Sequence, residues 1–324
     1  MRTPPTPSAP EPLSGAGRAT AIGIVAIACW SALALLTRFA GPLPPFELLS
    51  LSFAVAFLSN SALTLRRGLR GLASWRQPPA AWAFAFAGIF AYHAFYFTAL
   101  SLAPAAQASL IAYLWPLLIV LLSTLTARGA FRLRHLVGAG LGFLGMVVVI
   151  RAPAGAGGVT AGEYPHAWLG YAAAAACALV WSVYSVANAR FRASPSGMIG
   201  GVCGLVALAG GGLHLALEPT VVPTPGQWAA IVLLGIGPVG VAFLAWDHAT
   251  KHGHMPLLGA LSYLTPLVST ILLIAAGLAP MSWEIVAAAA LVMLGAAVAA
   301  ARRGRGAPPT AGRSGQIEFP RPVE

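Results

Sequence analysis

The sequence predicts an all-α integral membrane protein, with ten transmembrane helices arranged as two inverted five-helix repeats around a central cavity. Three observations carry this expectation: 58% of the 324 residues are apolar and 8% are charged, ten apolar stretches approach membrane-spanning length, and motifs recur at a spacing near 150 residues. A soluble domain carries about 25% charged residues, so this chain could not cover a water-facing surface.

A helix needs about 20 mostly apolar residues to cross a hydrocarbon core of about 30 Å. Bounding the apolar stretches by charge, Pro or Gly places them at 20–39, 46–65, 80–103, 105–127, 135–150, 167–188, 197–217, 227–250, 255–277 and 282–301. Residues 1–18 are Pro-rich and polar and read as a disordered cytoplasmic tail. The first apolar run continues through Thr37 and Arg38 without a small-residue cleavage site, so a retained helix is expected rather than a signal peptide. Cys29, Cys177 and Cys203 each sit inside an apolar run, with neither metal spacing nor a disulfide framework.

The charges fix the orientation of these spans. Of the 19 Lys and Arg residues, 17 fall in the two tails or in the links after spans 2, 4, 6 and 8, whereas only Arg38 and Arg151 end on the other side with Glu47, Glu163, Glu218 and Glu284. Cations gather on cytoplasmic loops, so both termini are expected in the cytoplasm, which requires an even number of spans. The net charge of +11 is thereby a topological signal. Nucleic-acid binding would instead need a basic soluble face with interleaved aromatics.

Tyr113-Leu114-Trp115-Pro116-Leu117 recurs as Tyr263-Leu264-Thr265-Pro266-Leu267 at an offset of 150, Leu144-Gly145 recurs as Leu294-Gly295, and Trp30-Ser31 as Trp181-Ser182 at 151. The chain therefore divides into the 1–18 tail, a first five-helix repeat over 19–151, a second over 167–301, and a cytoplasmic tail over 302–324. Because five is odd, the second repeat enters the membrane inverted. In transporters such repeats place the substrate near the midplane where the halves meet.

Trp75, Trp82, Trp168, Trp228 and Trp283 fall at span ends, where amphipathic rings belong. Trp30, Tyr92, Tyr96, Tyr113, Trp115, Trp181, Tyr184 and Tyr263 fall well inside spans, where their polar tips need partners. They either bond between helices or line a cavity for an aromatic or amphipathic guest. Tyr92, His93 and Tyr96 are spaced to share one helical face, and His93 is the only ionisable residue near the centre of a span. It is read either as functional or as a neutral imidazole bonding a neighbouring helix, whereas His214, nearer a span end, reads as structural. Pro116 and Pro266 hold corresponding mid-span positions and suggest hinges. Ser31, Ser182, Ser262 and Thr265 could join the freed backbone groups in binding a zwitterion. Gly138, Gly140, Gly142 and Gly145 suggest close helix packing, so the fifth span reads as scaffold.

Near the expected cytoplasmic end of span 8, Asp247 and His248 precede Lys251, His252 and His254. The spacing of Asp247 and Lys251 suits a helical ion pair rather than a metal site. Asp247 is thus read as a helix-end residue, with a gate as the functional alternative. No carboxylate lies near the centre of any span, which favours passive transport, and no catalytic constellation appears.

The run Gly23-Ile24-Val25-Ala26-Ile27 leading to Trp30-Ser31, the Tyr113-Leu114-Trp115-Pro116 motif, Trp181, Ser262-Tyr263 with Thr265-Pro266, and Leu51-Ser52 resemble bacterial aromatic amino acid exporters of the drug/metabolite transporter superfamily, EamA-type proteins of ten helices. That resemblance implies a bacterial inner-membrane exporter of Phe, Tyr, Trp and other neutral amino acids. The expected substrate-binding residues are Trp30, Tyr92, His93, Tyr96, Trp115, Trp181, Tyr184, Tyr263 and Thr265, with Pro116, Pro266 and Asp247 as hinge or gate. The expected partners are a small-molecule substrate and the lipid bilayer, with no nucleic acid, cofactor or metal. The alternative is a carrier of another small neutral metabolite or drug, coupled to protons through His93.

Overall fold

A computed structural model describes residues 15–66, 68–126, 133–151, 164–191, 193–253, 258, 261–262, 264–279 and 281–300. Its α-helices are α1 (Gly15–Ser31), α2 (Leu33–Phe39), α3 (Pro45–Leu65), α4 (Pro79–Leu102), α5 (Ala105–Ala112), α6 (Trp115–Thr126), α7 (Leu133–Arg151), α8 (Ala167–Ala187), α9 (Met198–Leu217), α10 (Pro225–Ile236), α11 (Ala242–His252), α12 (Leu264–Ala275) and α13 (Trp283–Ala300). No strand occurs among the described residues. Gly17–Phe39, Pro45–Leu65, Pro79–Leu102, Ala167–Ala187, Met198–Leu217 and Pro225–Thr250 are each long and apolar enough to cross a membrane. Helix α1 begins at Gly15, inside the stretch expected to be tail. The remainder of both tails lies outside the described residues.

Backbone chemistry explains why several spans are broken. Pro116 has no N–H, and its ring collides with the carbonyl four residues back, so the chain turns at Tyr113–Leu114 between α5 and α6. Between α1 and α2 the helix is interrupted at Ala32, next to Ser31, whose hydroxyl donates to the Ile27 carbonyl at 2.9 Å. Such back-bonding bends helices. Between α10 and α11 lies a π-helical turn, Gly237–Val241, containing Pro238. Pro238 removes another donor, and the wide turn absorbs the register change.

The outer faces are apolar: Leu58, Phe143, Leu208 and Val286 are exposed, as suits lipid. Trp168, Trp228 and Trp283 are exposed near helix ends, while Trp75 and Trp82 donate their indole N–H groups to the carbonyls of Gly197 and Trp75 at 3.0 and 3.1 Å.

Helix α7 packs along α13, α3 along α9, α4 along α8, and α1 along α11. The α7–α13 seam is close because it lacks side chains. A Cβ at Gly295 would stand 2.6 Å from the Gly138 carbonyl oxygen, and one at Gly145 would stand 3.0 Å from that of Ala288. This is the packing role the glycines suggested. Where α3 begins, the Glu218 carboxylate accepts from the backbone N–H groups of Phe46 and Glu47 at 3.1 Å each. The ring of His214 bridges Glu218 at 3.1 Å and the Thr220 hydroxyl at 3.0 Å. This part-buried knot ties α9 to α3 and supports the structural reading of His214.

Candidate functional site

The bends described above bring four helices to one point, and that point is Trp30. Its ring contacts Trp246 with centroids 5.1 Å apart, Trp181 at 5.6 Å, Phe243 at 5.8 Å and Trp115 at 6.5 Å, all edge to face. Edge-to-face pairing sets the positive rim of one ring against the negative face of another. The indole N–H of Trp30 donates to the Pro238 carbonyl in the π-helical turn at 3.1 Å, and the Trp30 carbonyl accepts from the Tyr113 hydroxyl at 3.1 Å. Trp30 thus joins the bent first span to the broken fourth and eighth.

Around this hub the rings continue. Trp181 touches Tyr92 at 5.2 Å and Tyr184 at 5.3 Å, and Tyr92 stacks on Tyr96 at 5.9 Å. The Ser182 hydroxyl donates to the Trp115 carbonyl at 3.1 Å, spanning the break at Pro116. All the expected aromatic residues that can be placed therefore belong to one cluster: Trp30, Tyr92, Tyr96, Trp115, Trp181 and Tyr184 are buried in it. Tyr263 lies outside the described residues. The central cavity is the point of difference, since in this conformation the rings pack against one another rather than lining an open space. Contact between apolar rings is favourable, and rings this close gain it.

His93 departs from its expected setting. Although it neighbours Tyr92, its ring faces Phe53 at 4.7 Å, Phe97 at 5.6 Å and Phe243 at 5.5 Å, and Nδ1 lies 3.0 Å from the Ile89 carbonyl of its own helix. It also meets Tyr92 at 4.8 Å, so it packs between α3 and the ring cluster, which it joins through Tyr92 and Phe243. Its nitrogen bond is therefore to its own helix and not to a neighbouring one.

A cluster of hydroxyls marks the polar side of the hub. The hydroxyls of Tyr96 and Ser269 both lie beside that of Tyr113, close enough to interact with it but outside the geometry of a well-formed hydrogen bond, and the Thr265 hydroxyl one turn before Ser269 has no hydrogen-bond partner among the described residues. A buried hydroxyl left poorly bonded is costly, so this group, Thr265 first, is the candidate for the polar end of a guest. Pro266 sits in the first turn of α12, beside Thr265.

Asp247 is not in the cluster. It lies in a small recess with Phe84, Tyr184, Asn188 and Phe191. Its expected pairing with Lys251, and the position of His254, lie outside what is described. Among the described residues no group of three or more His, Cys, Asp or Glu is placed to hold a metal.

Two central rings escape the sequence reading, Phe243 and Trp246. The repeat itself contained the signal, because the offset of 150 carries His93 onto Phe243 and Tyr96 onto Trp246.

Comparison with known proteins adds the following. A family model described as the EamA-like transporter family matches residues 18–151 and again 168–301. The aromatic amino acid exporter YddG of Ancylobacter novellus is 47% identical over 281 residues, covering 87% of this chain and 96% of that protein. A solved crystal structure, also 47% identical, superposes with a TM-score of 0.69 over 87% of this chain and 96% of its own.

Proposed function

The chain belongs to the EamA-like transporter family, and from that premise we propose that it exports aromatic amino acids, and other neutral amino acids, across a bacterial inner membrane by alternating access. It is a multi-pass membrane transporter and not an enzyme. The observation that carries the substrate is the Trp30 hub, where apolar rings stand beside the buried hydroxyls of Tyr96, Tyr113, Thr265 and Ser269, of which that of Thr265 has no partner among the described residues. Rings suit an aromatic side chain, and hydroxyls can bond both the ammonium and the carboxylate of a zwitterion. The relative with 47% identity is itself an aromatic amino acid exporter.

In this reading Trp30, Tyr92, Tyr96, Trp115, Trp181, Tyr184, Tyr263 and Thr265 hold the substrate, and His93 backs Tyr92. The site opens as the ring cluster parts at the breaks near Pro116, Pro266 and the π-helical turn. Ten spans in two inverted repeats, over 19–151 and 167–301, are supported by the double family match and by the helix pairing. Exchanging the halves turns the α4–α8 contact into the α11–α1 contact and maps the α3–α9 and α7–α13 contacts onto themselves. Trp30 and Trp181, which correspond in the two halves, touch at 5.6 Å, as residues near a two-fold axis do. The gathering of Arg in the tails and alternate links supports cytoplasmic termini. Transport is facilitative, because no carboxylate is set at mid-span to carry a proton.

Flux of labelled amino acids in proteoliposomes tests the proposal. Phe, Tyr and Trp should move faster than through empty liposomes, with no dependence on a pH gradient. Flux of another metabolite with none of these three would overturn the substrate, and collapse of flux on adding a proton ionophore would overturn the facilitative mechanism.

A further inference from the structure

Asn60 is the buried polar side chain that the ring cluster leaves unexplained. It is 1% exposed in α3, yet neither its amide nitrogen nor its oxygen makes a well-formed hydrogen bond among the described residues. The Cys203 thiol of α9 stands beside the carboxamide, close enough to interact with it but outside that geometry. A carboxamide offers two N–H donors and an acceptor oxygen, so one thiol leaves most of that capacity unused. Burying such a group is costly, and a leucine of similar size would avoid the cost.

The place of Asn60 in the bundle ties it to transport. Leu49, Phe53, Ala56 and Asn60 form one buried stripe along α3, the stripe that faces the bundle interior. Phe53, two turns before Asn60, touches His93 with centroids 4.7 Å apart, beside the hub. Asn60 therefore stands about 10 Å along the helix from that level, toward the end that the distribution of Arg assigns to the cytoplasm. Cys203 lies near the Tyr184 hydroxyl, and the Tyr184 ring meets Trp181 at 5.3 Å. Polar groups thus lead from the hub toward the cytoplasmic end.

Between the two levels lies the π-helical turn. A Cβ at Gly240 would stand 3.7 Å from the Ala56 Cα, so the turn rests on α3 one helical turn from Asn60. Helix α10, which precedes it, packs on α3, whereas α11, which follows it, packs along α1. Alternating access requires the interior between hub and cytoplasm to open in one of its states, and a movement of α1 with α11 about this turn opens it. The inner stripe of α3, Asn60 included, then faces the path.

We propose that Asn60 is a substrate-contacting residue of the cytoplasmic entrance, its carboxamide donating to the carboxylate and accepting from the ammonium of an amino acid on its way to the hub. The inference rests on the aromatic amino acid reading above and adds a contact outside the ring cluster. It also accounts for a polar group kept where the ring-packed conformation gives it little to bond: its partner is the cargo.

The test uses the full-length protein, purified in detergent for unfolding and in everted membrane vesicles for transport, where the cytoplasmic face meets the medium. Asn60→Leu should unfold at a temperature equal to or above that of wild type. Its uptake of labelled Trp at low concentration, per folded protein, should nevertheless fall about tenfold or more, the scale of hydrogen bonds to charged groups. Asn60→Ser, which keeps a hydroxyl, should recover part of that uptake. In a protein whose Cys29, Cys177 and Cys203 are replaced by Ala, Asn60→Cys should react with a membrane-impermeant methanethiosulfonate from the cytoplasmic face, and Trp in the same medium should slow the reaction. A lowered unfolding temperature in Asn60→Leu, with uptake lost only in proportion to folded protein, would make Asn60 structural and overturn the proposal. So would unchanged uptake, or labelling of Asn60→Cys that fails or that Trp does not slow; the substrate reading would stand in each case. Wild-type vesicles that move no labelled Trp would overturn the substrate reading, and this inference with it.

Discussion

Replacing Trp30 separates the two things it does. Its ring makes four edge-to-face pairs, and such pairs are worth about 0.5–1.5 kcal/mol each beyond area burial. Four of them place about 2–6 kcal/mol on one side chain, in line with the roughly 3–5 kcal/mol typical of removing a buried Trp or Phe. The bond from its indole N–H to the Pro238 carbonyl is a smaller matter, because hydrogen bonds between membrane helices average about 0.6 kcal/mol and reach about 1.7. Trp30→Phe, which keeps a ring and loses the donor, should therefore cost less than about 2 kcal/mol, and Trp30→Ala about 3–5. Thermal unfolding of the purified protein in detergent should rank wild type above Phe and Phe well above Ala. Adding Trp246→Ala to Trp30→Ala should cost less than the two separate losses summed, since the rings share a contact at 5.1 Å. If Trp30→Phe is as damaging as Trp30→Ala, the bond to the π-helical turn outweighs the packing. If neither variant lowers the unfolding temperature, Trp30 is no hub. Either result refutes the reasoning.

His93→Phe should keep export within about threefold and leave it insensitive to a pH gradient, since four aromatic rings already surround the imidazole and its nitrogen bond is to its own helix, a bond worth less than about 1 kcal/mol; loss of flux measured in proteoliposomes would restore the proton-coupled alternative. Gly295→Leu should sharply reduce the folded yield seen by size-exclusion chromatography, because the α7 backbone stands 2.6 Å from where a Cβ would be, while Gly140→Leu, where a Cβ meets nothing within 4 Å, should be tolerated.

The helices were legible in the sequence because membrane-spanning segments declare themselves by length and apolarity, without needing partners. Their interruptions were legible only where proline announces them. Pro116 marked the break between α5 and α6, but the π-helical turn at Gly237–Val241 was not foreseen, since the sequence does not reveal how a helix absorbs a missing donor. The aromatic residues were found by depth, a one-dimensional property, and depth placed Trp30, Trp115 and Trp181 correctly together. Depth cannot say which way a side chain points. That is why His93 was put with the tyrosines when it turns toward α3, and why Phe243, an apolar residue in an apolar span, went unnoticed. The recess was hidden for another reason: its walls come from four helix ends far apart in the chain, and only Asp247 stood out.

Asp247 has no acidic counterpart in the first half; the offset of 150 carries it onto Phe97. The two halves are therefore chemically unequal at this position although the helices around it are paired. A passive carrier cannot shift the final concentration ratio of its cargo, whatever its shape. Inequality between its two faces can then appear only as kinetics, a lower half-saturation on one face being balanced by a lower maximal rate from that face. At low concentration the cargo of such a carrier moves at equal rates in both directions, because the ratio of maximal rate to half-saturation is the same from either side; only near saturation do the faces differ, and the weaker-binding face is then the faster.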